Sequence, residues 1–243
     1  IDTGFNNAYI NMAIDEVLLS SRVPVLRLYQ WKPCAVSIGR YQDLDDIDLD
    51  YCTENSIDVV RRITGGKAVL HEKELTYSFI IDKDEMPRSI IESYKIISSA
   101  IIQGLKTLGL NPEMNSSKIE NRDNPVCFQE QSFNELTINR KKFVGSAQVR
   151  KKGKLLQHGS ILTGIDTEKH SSCFKEKPET HDLKKRITYI DIPEKNLKSA
   201  IKQGFSEYFN TNLNGRSICG KELSGAKELA RTKYRLEAIS VKA

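Results

Sequence analysis

At 243 residues, 39% hydrophobic and 28% charged, the chain is long enough for one α/β domain and has the composition of an ordinary globular protein. No stretch reaches the ~18 unbroken apolar residues of a membrane span. Ile1-Asp2-Thr3-Gly4 lacks the regions of a signal peptide, and the missing initiator methionine suits a trimmed or partial sequence, so a cytoplasmic, non-membrane protein is expected. The net charge of +5 suits an acidic partner; with 7% aromatic residues and no accompanying motif nucleic acid is not expected, and an acidic carrier protein would serve as well.

Residues Asn7 to Ser20 read as a helix, with Ile10, Ile14, Val17 and Leu18 on one face. Two β-rich runs follow, Val23 to Trp31 and Ala35 to Gly39, and the Lys32-Pro33 turn between them suggests a hairpin-like connection. A polar helix is expected over Leu44 to Glu54, then strands at Ile57 to Ile63, Ala68 to Leu70 and Leu75 to Ile81. Ile90, Tyr94, Ile97, Ile101 and Leu105 recur at helical spacing and predict a core-packing helix over Ser89 to Leu108. After a polar loop, Asn111 to Asn124, short strands are expected at Glu135 to Ile138, Lys142 to Arg150 and Lys154 to Leu162, the last two joined at Lys152-Gly153. The chain beyond Gly164 is more polar, with helices expected at Leu197 to Phe209 and Glu222 to Tyr234. Strands interleaved with helices predict an α/β (α+β) fold with a mixed sheet flanked by helices. It is read as one catalytic domain over 1–243, less certain in outline from about 165 onward.

Five widely spaced cysteines with no C-x-x-C pair and no Cys/His cluster argue for free thiols and against a metal site. Four of them read as buried apolar filler. Cys127, in Asn124-Pro125-Val126-Cys127-Phe128, can be held near the surface, and a lysine ammonium beside it would favour the thiolate; a structural cysteine is the plain alternative. In Arg61 to His71 two glycines follow two arginines, which lets the backbone approach a ligand or simply makes a tight turn. Strand alternation puts Lys142, Val144 and Ser146 on one face and Phe143, Gly145 and Ala147 on the other, so Lys142 can face a pocket. The positive charge bunched at Lys141-Lys142 and at Arg150-Lys151-Lys152-Lys154 reads equally as a docking stripe or a solvated hairpin.

These clusters resemble, in order, the biotin/lipoate protein ligase family, and more narrowly its octanoyltransferase branch. The matching text includes Asn11 to Glu16, Ser37 to Gln42, Arg61 to His71, Glu74 to Ser78, Pro125 to Phe128, Lys142 to Gln148 and Leu156 to Ile161. The third residue of the glycine turn is Lys67, and Asn139-Arg140-Lys141 replaces a Gly-Arg turn, so Lys142 is placed by counting back from Gly145.

The resemblance implies that Cys127 is a nucleophile forming an acyl thioester and that Lys142 beside it serves as acid/base and orients the carbonyl. It implies an acyl pocket lined by Arg62, Thr64, Gly65, Gly66 and His71, with Gly145, Ser146, Ala147, His158 and Gly159 on the opposite wall. The implied donor is octanoyl-acyl carrier protein and the implied acceptor a lysine of a lipoyl domain or glycine-cleavage H protein, with no cofactor, metal or ATP. The alternatives are an ATP-dependent lipoate–protein ligase, an amidotransferase moving octanoyl between lipoyl proteins, and a non-catalytic carrier-binding module.

Overall fold

The structure, a computed structural model, describes residues 1–115 and 135–235. Among the described residues ten strands form two sheets. β1 (Asp2–Asn6), β2 (Val25–Trp31), β6 (Glu74–Asp82), β7 (Glu113–Met114), β8 (Leu136–Ile138), β9 (Lys141–Lys151) and β10 (Lys154–Leu162) form the larger, in the order β1-β2-β6-β10-β9-β8-β7. Only β1 and β2 run parallel within it. β3 (Ala35–Ile38), β4 (Asp58–Arg61) and β5 (Val69–His71) form the smaller, with β3 in the middle.

The expected hairpin between the second and third runs is therefore corrected. Both edges of β2 are taken, by β1 and β6, so the chain leaves through a cis Lys32–Pro33 peptide and starts the second sheet. β9 and β10 form the hairpin read from the sequence, turning at Lys152 and Gly153, both at positive φ.

Helices cover both faces of the large sheet. α3 (Ile90–Lys106) and α6 (Glu194–Tyr208) lie on one side. Their Ile97, Ile101, Leu105, Leu197, Ile201 and Phe205 form a core with Leu26, Leu28, Tyr77, Phe79, Leu155 and Ile161. On the other side α1 (Ala8–Leu18) joins a second core with Val25, Tyr29, Trp31, Ile80 and Leu156, which takes in Ala35, Val60 and Ile63 of the smaller-sheet region. β6 and β10 are buried on both faces, yet neither is a continuous apolar run: Glu74, Thr76, His158 and Ser160 are buried polar residues within them. α1 begins where the Asn7 side chain accepts from the Ile10 amide. Helix α2 (Leu49–Glu54) is shorter than expected because the Asp48 side chain caps it at the Tyr51 amide, late in the polar run.

The last third adds α4 (Thr167–Ser172) and α5 (Thr180–Arg186), neither anticipated, then α6 and α7 (Gly220–Leu229), which runs into a π-turn over Ala230–Tyr234. α4 and α2 cover the outer face of the small sheet, where Cys52, Cys173 and Phe174 meet Val36, Ile38 and Leu70. The filler reading holds for Cys52 and Cys173; Cys34 is half-buried and Cys219 exposed.

Candidate active site

The inner face of the small sheet looks across at the large one, and alternation decides what meets there. Val36, Ile38, Val59 and Leu70 turn outward to α2 and α4. Ser37, Arg62 and His71 turn inward and are buried. From the large sheet come Glu74, Thr76, His158 and Ser160, and from α1 comes Asp15, all buried.

These side chains form one hydrogen-bonded string. Asp15 accepts from Arg27 at 2.6 Å and from Tyr29 at 3.0 Å, and meets His158 Nδ1 at 3.1 Å. His158 Nε2 lies 2.7 Å from the Thr64 hydroxyl, which accepts from Arg62 Nε at 3.1 Å. Arg62 also donates to the Ser37 carbonyl at 2.9 Å and hydroxyl at 3.2 Å, and that hydroxyl lies 2.8 Å from His71 Nε2. His71 Nδ1 meets Glu74 Oε1 at 2.8 Å, an oxygen that also accepts from Ser160 and Thr76.

The carboxylates set the tautomers. A carboxylate opposite each Nδ1 places a proton there; in a neutral ring Nε2 then accepts from the facing hydroxyl, and each hydroxyl accepts in turn from Arg62. One guanidinium thus joins two carboxylate–imidazole–hydroxyl strings.

Burial alone would raise the Asp15 carboxyl, but the Arg27 guanidinium and His158 outweigh it and hold it below the usual carboxylate range. Burial likewise opposes ionisation of Glu74, and His71, Ser160 and Thr76 prevail. Burial pushes His158 below the ordinary imidazole value, against the pull of Asp15. The Trp31 ring stacks on His71 at 3.9 Å and closes the end of the string.

Arg62 also fixes the glycine turn, donating to the Gly65 and Lys67 carbonyls, both at 2.8 Å. Gly39 backs this turn: a Cβ there would stand 1.8 Å from the Gly66 carbonyl oxygen, and Gly66 itself has φ +92°. Backbone lies directly on backbone.

Lys142 lies at the edge of this region. The pairing of β8 with β9 slips by one residue, Leu136 facing Val144 while Thr137 faces Lys142. Phe143 and Val144 both enter the core beneath α3 and α6. The alternation expected from Lys142 to Ser146 is thus broken by a bulge, and Lys142 parts from the Val144 face. Its amine makes a buried ion pair with Glu135, with 1% and 6% of the two side chains exposed. His170 on α4 is buried within reach of the same charge; burial, with Lys142 second, pushes its imidazole down to about 4.

The sequence-derived set divides accordingly. Arg62, Thr64, His71 and His158 are hydrogen-bonded together, with Gly65 and Gly66 on the turn that Arg62 holds. Gly145 and Ala147 pair with Ser160 and His158 and share their face. Ser146 and Gly159 face the other way: the Ser146 hydroxyl meets Tyr77 at 2.7 Å, and a Cβ on Gly159 would come within 2.8 Å of the Tyr77 ring. As side chains, these two are not on the wall assigned to them. Cys127 lies outside the described residues.

The basic run is not a free stripe. Lys151 pairs with Glu16 and Lys154 with Asp82, both at 2.8 Å, and Arg150 bonds the Pro87 carbonyl and Ser93. Sequence reasoning assigned no role to Asp15, Glu74, Glu135 or His170. Asn11 and Asp15, one turn apart among apolar residues of α1, were the signal for the first; nothing local marks Glu135 or His170.

The chain is similar to known proteins in both sequence and fold. Octanoyltransferase LipM of Clostridioides difficile is 40% identical over 96% of this chain and 94% of its own length. Those of Staphylococcus epidermidis and Bacillus subtilis are 38% and 35% identical, over 98% and 96% of this chain. Among solved structures, lipoate-protein ligase A bound with ATP superposes with a TM-score of 0.82 at 28% identity, covering 97% of this chain and 94% of that one. A bipartite lipoate protein ligase from Thermoplasma acidophilum gives 0.79 at 26%, covering 97% and 91%. The lipoyl protein ligase A/B catalytic domain model matches residues 7–207, and the chain belongs to that family.

Proposed function

We propose that this chain is an octanoyltransferase of lipoate biosynthesis that carries the acyl group on Cys127 and passes it to a lysine of a lipoyl-carrier protein. The observation that carries the reading is near full-length similarity to octanoyltransferases, in a chain that retains a buried lysine on β9.

In the first half-reaction the Cys127 thiolate attacks the carbonyl carbon of octanoyl-acyl carrier protein. A new S–C bond forms, the carrier's S–C bond breaks, and the departing thiolate takes up the proton that Cys127 released. In the second, the acceptor lysine amine attacks the enzyme thioester; the N–C bond forms, the bond to Cys127 breaks, and the amine's proton returns to the sulfur. Two steps let two proteins use one site in turn. The donor thioester is already activated, so no nucleotide is consumed. The Lys142 ammonium supplies positive charge beside the sulfur and the carbonyl. The Arg62 string holds the Gly65–Gly66 turn as the opposite wall. The glycine-cleavage H protein and lipoyl domains of dehydrogenase complexes are the acceptor class, in line with the lipoyl domain studied with the Thermoplasma ligase. No helix among the described residues is long and apolar enough to cross a membrane, and a cytoplasmic site of action fits carrier-borne substrates.

A second reading, ATP-dependent ligation of free lipoate, is favoured by the likeness to a ligase bound with ATP. Intact mass separates the two. The expected outcome is one added octanoyl group after incubation with octanoyl-carrier thioester without ATP, absent in Cys127→Ser. Transfer that needs ATP and free acid, and survives that substitution, would establish the ligase instead.

A further inference from the structure

We propose that the acyl carrier protein docks on a basic surface made by the end of α5 and the β8–β9 turn, with Tyr189 as its anchor. The inference rests on the octanoyltransfer reading and adds to it the place where the donor lands.

Two separate pieces of chain build this surface. α5 ends in Lys184, Lys185 and Arg186, all exposed, and the turn before β9 brings Lys141 and the exposed Arg140. The Lys141 amine donates to the Lys184 carbonyl at 2.9 Å, so the turn is bonded to the last turn of the helix. Against these cations, residues 139–141 and 180–189 contain one acidic side chain, Asp182. It lies 3.6 Å from Lys185, with 57% of its own side chain and 62% of the lysine exposed. An ion pair so open to water is screened, and the excess of positive charge remains.

The surface borders the candidate site. Leu183 and Ile187 pack on Val69 of β5 and Leu162 of β10, so α5 is seated on both sheets. Ile187 then pairs with Lys142, and the Thr188 amide bonds the Lys142 carbonyl at 2.9 Å. Ile190 is buried, and its amide bonds the Leu162 carbonyl at 3.0 Å. Tyr189, held between these two fastened residues, is 51% exposed. A tyrosine on fixed backbone offers a large contact at little cost in entropy.

Charge selects the occupant. An acyl carrier protein is acidic, and its thioester arm is joined through a phosphodiester, so negative charge surrounds the point where the acyl chain leaves it. The five aspartates between Asp43 and Asp50 give this chain a region of the opposite sign, bonded to the end of α4 where the Asp48 amide meets the Cys173 carbonyl at 2.9 Å. Attraction at α5 and repulsion at the aspartates orient an acidic partner as it approaches.

The test is the binding of fluorescent holo-acyl carrier protein to the full chain, read by anisotropy. Octanoyl transfer is measured alongside, from octanoyl-carrier and from octanoyl-pantetheine, which has no protein to dock. Lys184→Glu with Lys185→Glu should weaken carrier binding about thirtyfold to a hundredfold at low ionic strength, and less as salt rises. Lys184→Gln with Lys185→Gln places no acid at the end of a short helix and should weaken it about tenfold. Tyr189→Ala should weaken it about tenfold at low and high salt alike. Each loss should appear in KM for octanoyl-carrier, while transfer from octanoyl-pantetheine keeps its wild-type rate. Lys221→Glu with Lys227→Glu on α7 makes the same change in net charge and should leave binding at the wild-type value.

A loss in the α7 variant equal to that at α5 overturns the proposal, because net charge alone would then explain it. Wild-type binding by the α5 variants or by Tyr189→Ala also overturns it, as does an unaltered chain that does not bind the carrier. If the α5 variants lose a lipoyl domain and keep the carrier, the surface serves the acceptor and the donor assignment is overturned. If carrier binding is lost as expected but octanoyl is never transferred by the unaltered chain, the docking surface stands and the octanoyltransfer reading falls.

Discussion

The two faces of β10 meet different surroundings. Leu155, Gln157, Gly159 and Ile161 face α3 and α6, where the contacts are mainly hydrocarbon and Gln157 bonds the Tyr77 hydroxyl at 2.8 Å. His158 and Ser160 face α1 and the small sheet, where they join a string held together by Asp15, Arg62 and Glu74. Apolar packing is non-directional and tolerates exchange of like for like. A buried string of charges and hydroxyls has one arrangement in which every partner is satisfied. The apolar face therefore supplies stability that can be repacked, and the polar face supplies a fixed shape.

The largest effect should come from the centre of the polar face. Asp15→Ala leaves the fully buried Arg27 guanidinium without its counter-charge and should cost about 3–5 kcal/mol, read from the urea midpoint. A loss no larger than that of a surface substitution would end the contrast. The same face should make the protein acid-sensitive. Asp15 and Glu74 both have folded values below the usual range, so their contribution is full above the unfolded carboxylate value, near pH ~4, and is lost as pH falls through the folded values. Asp15→Asn should flatten that acid limb.

On the helix side, Gly159→Ala should cost about 1–3 kcal/mol by overpacking, since the new methyl meets the Ser146 hydroxyl at 2.5 Å and the Gly145 carbonyl at 2.7 Å. Ser146→Ala in the same chain should recover only part of the loss, because the backbone oxygen stays in place; full recovery would show that the face repacks more freely than its geometry implies. The smallest effect is expected at the rim of the polar face. Trp31→Phe removes the 2.7 Å bond to Thr76 but leaves Thr76 bonded to Glu74, and should cost about 1 kcal/mol in thermal unfolding.

How legible each part was in the sequence followed the distance over which its physics acts. α3 was readable because helical spacing is local, although Ile90, counted on its buried face, is 60% exposed at the first turn. Arg62, Thr64, His71 and His158 were identified together through their family resemblance, while Asp15 and Glu74 sat in the same matching segments without a role. A partnership such as His158 with Thr64 joins residues 94 apart and has no local sign. The bulge at Lys142 escaped for a different reason: strict alternation is a rule for regular strands, and one inserted residue reverses its prediction. α4 and α5 were missed because six or seven polar residues offer too short a repeat for a helical period to show.

The anchoring of Tyr234 also bears on how the polypeptide can be divided. Its hydroxyl reaches Glu16 at 2.7 Å, and Lys233 and Lys151 close on the same carboxylate, so the final described turn is fastened to the first helix. A cut after β10, where the recognisable motifs end, would strip α1 of its cover at Ala226, Ala230 and Tyr234 and α3 of its cover at Leu197, Ile201 and Phe205. A minimal enzyme trimmed to its motif-bearing segments would then expose greasy flanks on opposite sides of the sheet and precipitate before it could be assayed.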